Sequence, residues 1–346
     1  MVFNEMKNST VKNGLRTLFL INPNRIAWVD VAKGIAILLV IIGHTVNFGS
    51  ATRNFIFSFH MPLFFILSGY TFKLAGDFPV FFQRVKKLIR HLIYPSLIVS
   101  GIGIFAQWMM QDQHTVSALW CCTKRMAEAL WWASGVGVHA HPALGALWFL
   151  FSLFWCKVIM DLIHLLFPGR RTGYIYVGIG LFGIAMGLKS KWLPQNMDVT
   201  FVAMVFIYIG MLWRNYQDWL ERHEQLCFMA SVIIWVFCLN VPMYIEMAAR
   251  SYPWTICSVV EAVCGSYMVC CLCKAFVANA RIRYALQFIG MHTLLIFLVH
   301  HLDWLFFPVW QSPSVGIESG LRISVDLLIS FIILYIKGRC YRKRII

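Results

Sequence analysis

Long uninterrupted blocks of apolar residues dominate this chain. Segments such as GIAILLVIIG (34–43) and LLISFIILYI (327–336) contain no charged residue. A transmembrane β-strand alternates polar and apolar residues over about ten positions, and neither segment does. A helix that crosses the hydrocarbon core of a bilayer needs roughly 20 mostly apolar residues. The pattern therefore predicts an all-α membrane protein and argues against a barrel.

Polar, basic or turn-rich connectors separate ten such blocks, each close to the length of one crossing. We predict about ten spanning helices, at 33–49, 55–73, 92–110, 145–163, 173–189, 199–213, 226–244, 254–273, 285–307 and 321–336. The Trp-rich connector 111–144 contains an amphipathic segment at 116–133, which suits a membrane interface. We find no internal repeat. The predicted organisation is a cytoplasmic N-terminal segment (1–25), one membrane domain (26–338) and a basic cytoplasmic tail (339–346).

Composition and charge support the same assignment. The chain is 60% apolar and 13% charged, whereas soluble domains are nearer half apolar and a quarter charged. A net charge of +15 could by itself suggest nucleic-acid binding. If the N-terminus is cytoplasmic, however, 22 of the 30 Lys and Arg residues fall in cytoplasmic segments and 7 in outer ones. This positive-inside bias predicts that both termini are cytoplasmic and that nucleic acid is not a partner.

The sequence gives no strong indication of a metal site. Cys270 and Cys273 form a single C-x-x-C, and His139 and His141 form an H-x-H. Two ligands of either kind are too few for a structural metal ion. The other cysteines are expected to pack as small apolar residues. We therefore expect no metal ion.

The first predicted span carries Asp30, Lys33 and His44. An ionisable group in the middle of a span costs roughly 2.5–3.5 kcal/mol, so it usually faces a cavity or a partner. Eleven residues of helix return Lys33 and His44 to nearly the same face, about 16 Å apart. This spacing fits a cation at the cytoplasmic mouth of a channel and an imidazole deeper inside. The alternatives are a snorkelling anchor for Lys33 and a hydrogen-bonded core histidine for His44.

Further histidines lie toward the outer side of other predicted spans. His60 lies about six residues from the outer end of the second span, at a depth similar to that of His44. Pro62 can kink that helix and open a cavity beside them. In the ninth span, His300 lies roughly 21 Å above the inner end, again toward the outer side. Two or more imidazoles at matched depth indicate a polar site within the membrane.

A cluster of basic residues precedes the third predicted span, comprising Arg84, Lys86, Lys87 and Arg90. One interpretation is the ordinary positive-inside signal of a cytoplasmic connector. The other is a phosphate-binding surface, because Lys and Arg side chains bind phosphate oxygens strongly. The residues alone leave both interpretations open.

Five ordered segments resemble the integral-membrane acyltransferase-3 family, which includes bacterial O-acetyltransferases of surface sugars and fucose 4-O-acetylase-like proteins. They are a basic residue followed by ten residues and then a histidine (Lys33 to His44), HMPLFFILSGY (60–70), the basic cluster, LWFL (147–150) and IGMHTLLIFLVH (289–300). The resemblance implies ten spans, a cytoplasmic acyl-CoA donor and an acceptor hydroxyl that is often on the outer side. It also implies functional roles for Lys33 and His44. This chain has Lys33 where Arg is common, and its third-helix basic pair is either Arg84 with Lys87 or Lys87 with Arg90.

The expected function is a membrane O-acyltransferase, and more narrowly an O-acetyltransferase, of the bacterial inner membrane. It would move an acyl group from acyl-CoA (acetyl-CoA) to a hydroxyl of a cell-surface or lipid-linked carbohydrate, with no permanently bound cofactor. The expected phosphate contacts of acyl-CoA are Lys33, Arg84, Lys87 and Arg90. The expected catalytic residues are His44, His60 and His300.

In this hypothesis His44 is the general base or a transient acyl carrier. His60 or His300 would orient it or stabilise the oxyanion. The alternative is a transporter or exporter of a sugar, polysaccharide or amino acid, in which the intramembrane histidines and acids relay protons. The missing internal repeat and the basic cluster argue against the transporter. Acyl transfer without solute flux would distinguish the two.

Overall fold

The structure is a computed structural model that describes residues 25–47, 49–110, 115–137, 140, 144–169, 171–241, 244–302 and 314–342. Within these ranges the regular structure is helical, apart from one isolated antiparallel bridge between Glu246 and Ser251. The prediction of an all-α protein is confirmed. The α-helices are α1 Ala27–Gly43, α2 Ala51–Phe57, α3 His60–Tyr70, α4 Phe78–Leu88, α5 Tyr94–Met109, α6 Val116–Trp132, α7 Trp148–Leu166, α8 Arg171–Leu188, α9 Met197–Asn215, α10 Gln217–Arg222, α11 Glu224–Leu239, α12 Ile256–Phe276, α13 Ala280–Met291, α14 Thr293–His301 and α15 Val315–Arg342.

Several helical stretches are long and apolar enough to cross a membrane. In the described part of the chain there are six, at Phe78–Met109, Gly145–Leu166, Arg171–Leu188, Pro194–Asn215, Ile256–Phe276 and Val315–Cys340. The bent pair α13–α14 makes a seventh if it is counted as one span. Every one of the ten predicted blocks overlaps a helix, and the predicted amphipathic segment is α6. The total of ten crossings stays a prediction.

The first helix lies earlier in the chain than its apolar block predicts. α1 ends at Gly43, so His44 is the residue that follows the helix, whereas the predicted span 33–49 places it inside. The side chain of Thr45 donates a hydrogen bond of 2.7 Å to the carbonyl of Ile42. Such a bond competes with continuation of the helical ladder and favours termination at this point.

The second predicted span is broken, which corrects the expectation of one continuous helix over 55–73. The break falls at Ser58 and Phe59, and His60 is the first residue of α3. Pro62 accounts for the position of the break, because a proline ring collides with the carbonyl four residues earlier, here that of Ser58. The helix is interrupted near Pro62 as predicted, but the break falls before His60 and not after it; the cavity beside it stays a prediction.

The ninth predicted span is also not straight. α13 and α14 meet at His292 with a bend of 63°. The backbone N–H of His292 donates to the carbonyl of Ile289, and its ring Nδ1–H donates to the carbonyl of Phe288 at 2.8 Å. This exchange interrupts the i to i−4 ladder, which is a common cause of a sharp kink. The straight-helix depth expected for His300 is therefore wrong.

The described residues form two compact units. The terminal unit contains residues 25–45, 273–300 and 314–342, and the central unit contains the rest. In the terminal unit α1 packs along α13, and α15 also contacts α1. Gly34 and Gly290 allow this approach, because a Cβ at either position would collide with a backbone carbonyl of the other helix. The close packing fixes the end of α1 relative to α13.

The central unit is organised around α9, which packs against α3, α7 and α8. A buried ion pair joins its start to a connector, because Arg250 Nε donates to Asp198 Oδ2 at 2.7 Å. The same guanidinium donates to Asn196 and to Ser134, and it lies 3.6 Å from the ring centroid of Trp192. A buried charge needs such complete pairing to be tolerated. We interpret this network as a structural link between connectors.

Candidate functional site

Three ionisable side chains of the terminal unit are joined in a row by hydrogen bonds. His44 Nδ1 lies 3.1 Å from His300 Nε2, and His300 Nδ1 lies 3.0 Å from Asp326 Oδ2. The two imidazole rings are tilted by 36°, with centroids 5.2 Å apart. The residues come from the end of α1, from α14 and from α15. The structure thus brings together two of the three predicted catalytic histidines, and it adds a carboxylate to them.

The carboxylate determines which ring nitrogens carry protons when both rings are neutral. A carboxylate only accepts hydrogen bonds, so His300 Nδ1 carries the proton that it donates to Asp326. His300 Nε2 is then the acceptor, and His44 Nδ1 donates to it. The lone pair of the His44 ring is consequently on Nε2. The arrangement therefore defines one atom, His44 Nε2, that can accept a proton from another molecule.

Solvent exposure increases from Asp326 through His300 to His44. The Asp326 side chain is 0% exposed and the His300 side chain is 5% exposed, whereas His44 is an exposed residue. A buried carboxylate behind a histidine holds its ring orientation and stabilises the imidazolium that forms on protonation. A buried acid, an orienting ring and an accessible ring together form an arrangement suited to general acid–base chemistry.

Asp326 belongs to a stripe of buried polar residues on α15. Its other members are Ser319, Arg322 and Ser330, at spacings of three and four residues that place them on one face of a helix. Ser319 contacts the side chain of Thr45 through their hydroxyl oxygens, 2.5 Å apart, just beyond the end of α1. Sequence reasoning missed Asp326. The available signal was that it is the sole acidic residue in the predicted span 321–336.

Lys33 lies on α1, eleven residues before His44. The neighbouring carboxylate of Asp30 accepts two hydrogen bonds from Arg25, of 2.7 and 2.6 Å. This hydrogen bonding raises the pKa of Arg25. In the described part of the chain, no hydrogen bond or close ion pair joins the half-buried Lys33 side chain to a partner, although the charge of Asp30 attracts it. Because α1 is continuous between them, Lys33 and His44 are about 16 Å apart along the helix axis. Lys33 is thus a cation that an external anion can pair with.

Arg84 lies in the central unit and already has a protein partner. Its Nη1 donates to both carboxylate oxygens of Asp161, at 2.7 and 2.6 Å. Asp161 also accepts from the backbone N–H of Ala75 at 2.8 Å. The Arg84 side chain is 22% exposed, so part of the guanidinium remains accessible. Its predicted role as a phosphate contact stays a prediction, and its ion pair with Asp161 was not foreseen.

Lys87 and Arg90 differ from Arg84 because both are exposed. Arg90 lies in a π-helical turn, Ile89–Ile93, where the N–H of Tyr94 bonds to the carbonyl of Ile89. Pro95 follows directly and cannot continue a regular α-helical ladder, which accounts for the altered turn. π-turns of this kind occur frequently at functional sites. The proposed contacts of Lys87 and Arg90 with phosphate stay predictions.

His60 belongs to the central unit and is buried. Its Nδ1–H donates to the carbonyl of Ile56 at 2.9 Å, and its ring lies edge-on to Phe57 at 4.5 Å between centroids. Its predicted catalytic role stays a prediction. His139 and His141 lie outside the described residues. Among the described residues, no group of three His, Cys, Asp or Glu side chains is placed to hold a metal ion.

Comparison with known proteins gives one informative result. A family model described as an acyltransferase domain matches residues 26–336, nearly the whole chain. Neither the curated proteins nor the solved structures gave a match. The matched range includes Lys33 and every member of the His44–His300–Asp326 chain.

Proposed function

The chain belongs to the acyltransferase-3 family, and on that basis we propose that it transfers an acyl group, most simply acetyl, from acyl-CoA to a carbohydrate hydroxyl. The assignment as an acyltransferase follows from the family. The observation that supports a direct role for this chain in the chemistry is the His44–His300–Asp326 arrangement, because it connects an exposed imidazole to a buried carboxylate.

The proposed mechanism uses His44 as general base and then as general acid. His44 Nε2 takes the proton of the acceptor hydroxyl while its oxygen attacks the thioester carbonyl. The carbon–sulfur bond then breaks, and the imidazolium returns the proton to the departing CoA sulfur. Asp326, acting through His300, stabilises the positive charge that His44 carries between these two steps. The alternative of a transient acyl-His44 would leave a covalent acyl-enzyme that can be trapped without acceptor.

The proposed donor site begins at Lys33. Its half-buried ammonium would bind phosphate groups of acyl-CoA, because Asp30 is already paired with Arg25. The separation of about 16 Å between Lys33 and His44 is comparable to the reach of a pantetheine arm. A donor held at Lys33 would therefore present its thioester near the His44 ring. Lys87 and Arg90 are proposed as further phosphate contacts.

The proposed topology places these steps on opposite sides of the membrane. Apolar helices and the family indicate a multi-pass membrane protein. We propose ten crossings with both termini in the cytoplasm of a bacterial cell, on the strength of the Lys and Arg distribution. Lys33 then lies toward the cytoplasm and His44 toward the outer side. The acceptor would be a surface or lipid-linked carbohydrate reached from outside.

Sealed proteoliposomes of known orientation test this proposal. Radiolabelled acetyl-CoA is supplied only at the face that carries the N-terminus, and glycan acceptor is supplied at either face. We expect acylation of acceptor at the opposite face, with no net flux of the acceptor itself. Flux driven by a pH gradient without acyl transfer would contradict the enzyme assignment. Acylation only of acceptor on the donor side would contradict the transbilayer arrangement while leaving the acyltransferase assignment intact.

A further inference from the structure

The central unit contains an apolar groove that the proposed reaction does not use. It has a volume of about 510 Å³ and lies between α3, α9, α10 and α12. This volume is within the range of about 300–1,000 Å³ that is typical of small-molecule sites. Six of its lining residues are Ile66, Leu212, Trp213, Trp219, Val263 and Tyr267.

The floor of the groove is preformed, whereas its rim is open. Ile66 is 0% exposed, and Trp213 and Tyr267 are each 8% exposed. The rings of Trp213 and Tyr267 pack against each other with centroids 4.9 Å apart. At the rim, Tyr216 is 62% exposed and Trp219 is 50% exposed. A rigid aromatic floor with an open aromatic edge suits an elongated apolar ligand that enters from the side.

The groove lies where α9 passes from apolar to polar sequence. Arg214 in the last turn of α9 is exposed, and Asp218 and Glu221 follow it on α10. Tyr and Trp side chains concentrate at this level in membrane proteins, at the boundary between hydrocarbon and head groups. An apolar groove that begins among charged residues and extends into apolar sequence has the polarity profile of a phospholipid.

We propose that this groove binds one acyl chain of a membrane phospholipid, with the lipid phosphate at Arg214. A water-soluble ligand of this size is usually oriented by several convergent polar groups, and the lining residues are almost entirely apolar. Arginine provides the cationic donor that a phosphate needs.

The bound chain also has a structural consequence for α10. This helix has six residues, and so short a helix is not stable without tertiary contacts. Its Trp219 and Leu220 form one wall of the groove. Occupancy of the groove is therefore expected to stabilise α10.

Photo-crosslinking tests the proposal directly. The purified full-length chain in detergent is incubated with a trace of phospholipid that carries a diazirine in one acyl chain, and the labelled residues are mapped by mass spectrometry. We expect labelling at Leu212, Val263 and Trp219. Val263→Trp fills the groove and should reduce the yield at least fivefold, whereas Ile233→Trp, at an exposed apolar position of α11, should leave it unchanged. Labelling spread evenly over exposed apolar residues, or an unchanged yield in Val263→Trp, would overturn the proposal.

A second comparison tests the head-group contact. Arg214→Gln should reduce crosslinking of the diazirine phospholipid several-fold, and Arg214→Lys should restore much of it. Crosslinking of a matching diazirine diacylglycerol, which has no phosphate, should be the same in all three proteins. Equal loss with both probes would contradict phosphate binding at Arg214. The wild-type labelling map requires no variant and tests chain binding even if a substituted protein folds poorly.

Discussion

Replacing Asp326 by Asn removes one charge from the proposed catalytic chain and nearly preserves side-chain size. The wild-type carboxylate is fully buried and lies 3.0 Å from His300 Nδ1. A hydrogen bond to a charged group contributes about 1.5–3 kcal/mol. If that contribution is made mainly when His44 is positively charged, its loss raises the barrier by the same amount. At 1.36 kcal/mol per factor of ten, we expect kcat to fall about 10- to 150-fold.

The assay is transfer of radiolabelled acetyl from acetyl-CoA to extracted surface glycan by purified protein in proteoliposomes. The KM for acetyl-CoA should change little, because Asp326 acts on the charged imidazole and not on donor binding. Asp218→Asn is the matched control, since it makes the same acid-to-amide change at an exposed position that the proposed reaction does not use. A kcat for Asp326→Asn within twofold of wild type, or a change confined to KM, would show that Asp326 does not stabilise the charged His44.

Three further predictions concern donor binding and packing. Lys33→Ala should raise the KM for acyl-CoA about tenfold, as expected for about 1.4 kcal/mol of lost phosphate contact. Lys33→Arg should preserve most of the affinity for acyl-CoA. Equal affinities of the two variants for acyl-CoA would leave Lys33 as a topology anchor. Gly290→Ala should lower the melting temperature in detergent, because overpacking costs about 1–3 kcal/mol. Gly320→Ala should not, because a side chain there faces open space. Equal melting temperatures of the two variants would contradict the close packing of α1 and α13. Arg84→Gln should destabilise the fold by about 3–5 kcal/mol by leaving a buried carboxylate unpaired, and the exposed Arg90→Gln should not; equal stabilities would show that the ion pair has no structural role.

Much of the architecture was predictable because lipid imposes strong constraints on sequence. Backbone groups in hydrocarbon must bond within their own segment, so apolar blocks become helices, and each of the ten blocks overlaps one. The breaks were harder to place. Pro62 indicated a kink, but its steric effect falls four residues earlier, at Ser58. At the bend, the ring of His292 and not its backbone N–H bonds to the carbonyl four residues earlier. The pattern of apolar residues carries no signal for such a side-chain hydrogen bond.

The candidate site was predictable in part for a related reason. His44 and His300 stood out because ionisable groups are costly within spans, and the structure places their rings 3.1 Å apart. Asp326 is also an ionisable group within a predicted span, but it was overlooked because the residues around it are strongly apolar. Which charged side chains pair with each other is decided by the tertiary fold. The pairing of Arg84 with Asp161, 77 residues away in sequence, could not be foreseen from a basic cluster that resembles a simple topology signal.

His44 is the proposed base of an acyl-transfer reaction. Single-turnover transfer of radiolabelled acetyl from acetyl-CoA to surface glycan is compared in wild type, His44→Gln and His223→Gln. His223 is the matched control, because its exposed ring bonds to a backbone carbonyl, that of Trp219, and the proposed reaction does not use it. Loss of a general base costs about 10²- to 10⁴-fold. We expect a loss of this size for His44→Gln and near-normal transfer for His223→Gln, at equal abundance in the membrane. Near-normal transfer by His44→Gln would show that His44 is not the base.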